Sequence, residues 1–277
     1  MCMQCVSNRS PWASRRGFLL AGAAAASAPV LAQVDVGKRS QFRKLVSADE
    51  IEQAAAQQYA KMLSEARAQQ ALAPDSNPQL QRLRVIARRI IPHAAQWNER
   101  AGSWRWEVNL IGSKQINAFC MPGGKIAFYS GILDQLQLTD DEAAMIMGHE
   151  MAHALREHAS ERIGKTQATG VGLSLLSQLL GLGDVGNAVA NIGTQLLTLT
   201  YSRQDESEAD LVGLELAARA GYNPHAGVTL WQKMEAASGG GKSLAFLSTH
   251  PAAPDRIRRL QANEPKVQGL YERARRG

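Results

Sequence analysis

Apolar and polar positions along this chain follow two rhythms, a helical one that dominates and a short alternating one near the middle. The densest apolar run, Ala143, Ala144, Met145, Ile146 and Met147, directly follows Thr139-Asp140-Asp141-Glu142, whose T-x-x-E spacing is a capping box, so a buried helix is expected there. Ser47 and Glu50 have the same spacing, and Val46 can staple onto Ile51, which predicts a helix over Val46 to Ala71. Asn77-Pro78 opens another with Leu80, Leu83, Ala87, Ile90 and Ala94 on one face, and Asn223-Pro224 opens a further one. Leu211, Val212, Leu214, Leu216 and Ala217 have helical spacing as well. The alternating rhythm is confined to Trp104, Trp106, Val108 and Leu110, and to Ile126, Phe128 and Ser130 after the turn Pro122-Gly123-Gly124. Helices thus outnumber strands, and an α+β domain with a small sheet is expected. Gly239 to Lys242 reads as a loop.

Composition adds that the chain can bury a sizeable core: it has 277 residues, of which 45% are hydrophobic and 20% charged. Its first 32 residues have a different character. Ser14-Arg15-Arg16-Gly17-Phe18-Leu19-Leu20 matches a twin-arginine signal, followed by the apolar stretch Ala21 to Leu31 and a small-residue cleavage site ending at Ala32. Residues 1–32 are therefore expected to be a signal peptide and 33–277 the mature domain, located in the periplasm. A mitochondrial-type presequence or an uncleaved anchor is the alternative reading. Three of the six net positive charges, Arg9, Arg15 and Arg16, lie in this segment. The remaining +3 is too mild to argue for a nucleic-acid partner. Cys2 and Cys5 lie there too, leaving Cys120 without a disulfide framework.

The chemistry is concentrated in His149-Glu150-Met151-Ala152-His153. Residues four apart share a helix face, so both imidazoles can reach one Zn²⁺ while Glu150 faces the metal's open position as a general base. Two histidines flanking a buried Glu would be costly to leave without a ligand. Downstream, Glu206 and Asp210 lie one helical turn apart in Ser202-Arg203-Gln204-Asp205-Glu206-Ser207-Glu208-Ala209-Asp210. Glu206 can supply a third ligand and Asp210 can accept the second N–H of a liganding His. The plainer alternative is a solvated acidic first turn that complements the helix dipole, and Asp205 and Glu208 are read that way.

These motifs, together with Thr249-His250-Pro251, Arg256, and Asn117-Ala118-Phe119-Cys120-Met121-Pro122-Gly123-Gly124, resemble the HtpX-like and CAAX-prenyl-protease-like zinc metallopeptidases over roughly residues 45 to 265. The soluble, periplasmic BepA-like branch is the most similar. The resemblance implies a zincin-like domain with one zinc per chain held by His149, His153 and Glu206, Glu150 as catalytic base, and Asp210 behind a liganding histidine. It gives His250 and Arg256 a role with the transition-state oxyanion, and lets His250 occupy the open zinc position at rest. Asn117, Ala118, Phe119, Gly123 and Gly124 become the substrate-binding segment, an edge strand lining the cleft and pairing with an extended peptide, which implies broad specificity.

Read from the residues alone, His250 before Pro251 suits a side chain held by a loop, and a surface histidine is the bland alternative. Arg256, ahead of Ile257 and Leu260, can equally be a solvated helix charge. The apolar, Gly-rich stretch from Thr169 to Leu197 is broken by Gln178, Gly181, Gly183 and Asp184 below the length that spans a bilayer. It is expected to form an amphipathic lid or dimer surface, touching a membrane only peripherally. The tail after Leu260 is expected to leave no room for tetratricopeptide repeats. Two functions follow as expectations. One is an endopeptidase for unfolded or misassembled cell-envelope proteins, with outer-membrane assembly machinery and a second copy of the chain as partners; the other is a chaperone or scaffold with little turnover.

Overall fold

A three-stranded sheet organises the domain, with β1 (Glu107–Ile111), β2 (Ala118–Met121) and β3 (Lys125–Tyr129) in the order β1-β3-β2. β1 runs parallel to β3 in the register Val108 to Ile126, and β2 pairs antiparallel with Cys120 opposite Ile126. The computed structural model describes residues 34–168, 192, 196, 198–239, 244–251 and 255–276. The chain divides into two units, Met1–Leu31 and Ala32–Gly277. The expected signal peptide lies outside the described residues, as do Thr169 to Leu197 apart from Ile192 and Leu196, and the loop at Gly239 to Lys242 beyond Gly239.

The helices are α1 (Ala48–Ala68), α2 (Pro78–Ile90), α3 (Ser130–Gln135), α4 (Asp140–Leu155), α5 (His158–Ala168), α6 (Arg203–Arg219), α7 (Ala226–Ser238), α8 (Ala245–Thr249) and α9 (Arg256–Arg276). Both sheet faces are covered. Ala127 of β3 packs with Ala55 and Tyr59 of α1, while Ile126 and Phe128 join the larger core built with α2, α4 and α6. That explains why β3 carries apolar residues at consecutive positions instead of alternating them.

Several boundaries differ from the sequence expectation, each for a local reason. α1 stops at Ala68 because Gln70 is left-handed (φ 55°) and Leu72 then bridges to Ile111. Trp104 and Trp106 stand outside β1, since their indole N–H groups donate to Glu52 and to the Ala101 carbonyl. Ser130 opens α3 rather than extending β3, its hydroxyl exchanging hydrogen bonds with the Ser113 backbone. α7 begins at Ala226, because Asn223 Oδ1 accepts from the His225 N–H and turns the chain first.

α4 begins at the expected capping box, in which Thr139 and Glu142 exchange hydrogen bonds. It crosses α6 at Gly148 and Gly213, where a Cβ on Gly213 would stand 2.6 Å from the His149 backbone nitrogen. The two glycines let the backbones approach until the faces of both helices share one interior. Gly213→Ala is expected to cost roughly 1–3 kcal/mol by overpacking. A lower denaturation midpoint and a lower zinc content of the purified variant would check this.

Candidate metal centre

α4 presents His149, Glu150 and His153 to α6, which presents Glu206 and Asp210 across the glycine contact. His149 Nε2 lies 3.2 Å from His153 Nε2, and Glu206 places Oε2 3.5 Å from the first and Oε1 3.4 Å from the second. Tetrahedral zinc with bonds of about 2.0–2.1 Å needs ligand atoms roughly 3.3 Å apart, so these three residues fit the ion. His250, at the end of α8, adds a fourth ligand atom to the set, all within 4.8 Å of one another. It is buried rather than at the surface, with Nδ1 3.0 Å from Glu206 Oε1 and Nε2 3.5 Å from Glu150 Oε1.

The layer behind the ligands is equally specific. Asp210 Oδ1 is 3.0 Å from His149 Nδ1, the bond that orients this imidazole with Nε2 toward the cluster. Arg256 donates through Nε and Nη2 to Asp210 at 2.7 and 2.6 Å and through Nη1 to Glu206 at 2.8 Å, its guanidinium lying over the Trp231 ring. This corrects the reading of Arg256 as a solvated charge, because the side chain is buried and three of its nitrogens donate to carboxylates.

Burial and charge set the protonation preferences. Burial would lower the His149 pKa, but Asp210 and Glu206 outweigh it and push the group up to about 9. His153 is held well below its ordinary value, first by burial, and stays neutral as metal ligation requires. Burial opposes the charge of Glu206, yet the three surrounding histidines hold its carboxyl far below the usual range. Asp210 is also depressed despite burial, by Arg256 and His149. Glu150 moves the other way, raised by burial, and its Oε1 has no hydrogen-bond partner among the described residues.

Glu150 lines a cavity of about 200 Å³ together with Asn117, Ala118, Phe119, Tyr201, His250 and others. β2 forms one wall, and its outer edge has no strand partner among the described residues. Gly123 and Gly124 do not line it, contrary to expectation. They make the β2–β3 turn with positive φ, and a Cβ on Gly124 would stand 2.7 Å from the Trp106 ring. Leu196, from the stretch expected to form a lid, is part of the wall.

The model of peptidase family M48 matches residues 77–264. The chain belongs to that family. It is a zinc metalloendopeptidase, with zinc as its cofactor. It is 34% identical over 254 residues to the Schizosaccharomyces pombe mitochondrial metalloendopeptidase OMA1, covering 91% of this chain and 72% of that protein. Two Escherichia coli proteins also match: metalloprotease LoiP, 30% identical over 54% of this chain and 59% of its own length, and the beta-barrel assembly-enhancing protease, 28% identical over 53% and 32%. Five further OMA1 relatives are spanned over only 32% to 62% of their length.

These relatives correct the expected location. The proteins from fission and budding yeast, Arabidopsis thaliana, Bos taurus and Homo sapiens are all named as mitochondrial, which overturns the periplasmic assignment and its twin-arginine route. The M48 site also contains residues that the sequence reading passed over. Tyr201 stacks on His153 with ring centroids 3.8 Å apart. His158 is buried behind His153, and its one visible signal was a third histidine five residues past H-E-x-x-H. Neither Asp205 nor Glu208 of α6 is a solvated dipole partner. Asp205 is buried and closes a capping box with Ser202, and Glu208 pairs with Arg156.

Proposed function

We propose that this M48 peptidase hydrolyses extended segments of unfolded or misassembled proteins, as a quality-control endopeptidase. The observation that carries the reading is Glu150 at the cavity wall, with an oxygen that makes no hydrogen bond among the described residues, beside three residues whose ligand atoms are spaced for zinc. His149, His153 and Glu206 hold the ion, Asp210 and Arg256 hold the ligands, and Glu150 is the base. Zinc, when bound, supplies Lewis acidity that lowers the pKa of water to about 7 and polarises a carbonyl. Glu150 accepts the proton of the attacking water and delivers it to the leaving amine. Burial suits it to this work, since a raised pKa makes the carboxylate a stronger base and brings it nearer the working pH, where both protonation states are accessible.

The outer edge of β2, unpaired among the described residues, with Asn117, Ala118 and Phe119, receives the substrate backbone as an added strand. Backbone pairing requires little of the side chains, which suits unfolded substrates. The name of the E. coli β-barrel assembly-enhancing protease supports a quality-control role, and the four shared motifs support a BepA-like affinity within M48. Cleavage of casein by the purified protein, stopped by chelation and restored by zinc, tests the proposal. Casein binding without cleavage would favour the chaperone or scaffold.

His250 is proposed to complete the metal's ligand set at rest. His250→Ala is then expected to change the visible spectrum of the Co²⁺-substituted protein, which reports ligand number and type. An unchanged spectrum would leave His250 as a neighbour of Glu206 only.

A further inference from the structure

His149 and His153 are oriented by different devices. A carboxylate, Asp210, stands behind His149, but behind His153 stands another imidazole: His153 Nδ1 and His158 Nδ1 are 3.0 Å apart. His158 Nε2 in turn faces Glu208 Oε2 at 3.5 Å, and the same oxygen accepts from Arg156 Nε and Nη2 at 2.9 and 2.7 Å. Arg156 also donates to the Gly37 carbonyl at 3.1 Å. His158 is 1% exposed and has no part in the hydrolytic steps above. Its position comes from the break between α4 and α5, where Glu157 is left-handed (φ 61°) and Arg39 and Arg43 clamp the Glu157 carboxylate.

We propose that His158 and Glu208 are positioning residues that fix the tautomer of His153, an inference that rests on His153 being a zinc ligand. Two ring nitrogens 3.0 Å apart must share one proton, so one donates and the other accepts. If His153 donates, its Nε2 keeps a lone pair for the metal, and the proton of His158 falls on Nε2, facing the Glu208 carboxylate. If His158 donates, a neutral His153 carries its proton on Nε2, where it blocks ligation, and His158 turns a lone pair toward the same carboxylate. The charge of Glu208, itself held by Arg156, separates the two arrangements and selects the ligating one. The carboxylate thus acts on His153 through an intervening imidazole, where Asp210 acts on His149 directly.

The test is zinc affinity measured by chelator competition, which does not depend on turnover. His158→Leu is expected to weaken binding by roughly 10- to 100-fold, the scale of a lost partner behind a ligand. His158→Gln, whose amide oxygen can still accept from His153, should fall between that variant and wild type. Glu208→Gln keeps the shape and removes the charge, and should weaken zinc while the metal-free protein retains its helical circular dichroism. Nitrogen-15 spectra of the zinc-loaded wild type should show His153 protonated on Nδ1 and His158 on Nε2. Wild-type affinity in either His158→Leu or Glu208→Gln, or the opposite tautomers, would overturn the inference. Loss of zinc in Glu206→Ala alongside unaltered binding in those two variants would sink only this inference and leave the proposed function standing. If His158→Leu fails to fold, the Glu208→Gln affinity and the wild-type tautomers decide alone.

Discussion

Glu150→Gln is expected to lower kcat/KM on an unfolded protein substrate by roughly 10²- to 10⁴-fold, the range attributed to a positioned acid–base group. The substitution keeps the side chain's shape in a fully buried position, so zinc content and denaturation midpoint should stay near wild type. The existing Oε1 has no hydrogen-bond partner among the described residues, which means that an amide there disrupts no bond already made by that atom. What the amide lacks is a lone pair basic enough to take a proton from water. Single-turnover cleavage of labelled casein with metal analysis of the same preparation separates the two effects. A variant that retains zinc and cleaves at the wild-type rate would remove Glu150 from the chemistry.

Glu206→Ala is expected to have the largest effect on the metal and on the fold together. This carboxylate is 0% exposed, accepts from Arg256 and faces three histidines. Its removal takes away one of three ligands and leaves a buried guanidinium with Asp210 alone, a type of change that costs roughly 3–5 kcal/mol. The purified variant should hold no stoichiometric zinc and should denature well below wild type. Asp210→Ala should weaken zinc less, by about 10- to 100-fold, because it holds a ligand without being one. Full zinc occupancy in Glu206→Ala would refute its place in the site.

The helix carrying His149, Glu150 and His153 was legible because its information is local: a capping box starts it, and a four-residue spacing puts both imidazoles on one face. Glu206 and Asp210 were legible on the same ground, one turn apart on α6. β2 was legible as an edge strand beside the cleft, through a motif whose second turn glycine, Gly124, packs against the Trp106 ring and does not line the cavity. The burial of Arg256 was not legible because its partners lie 46 and 50 residues away, and a solvated and a buried arginine look alike in sequence. Glu208 was misread for the same reason, since its partners His158 and Arg156 lie 50 and 52 residues away.

The residue spacings thus determined which atoms share a helix face, and hence the chemistry available on each. Which faces meet was decided by the tertiary structure, at the contact of Gly148 with Gly213. A periodicity reports the burial of a face but not its neighbour. The ion pairs and imidazole contacts behind the zinc ligands join different elements, and packing alone places them.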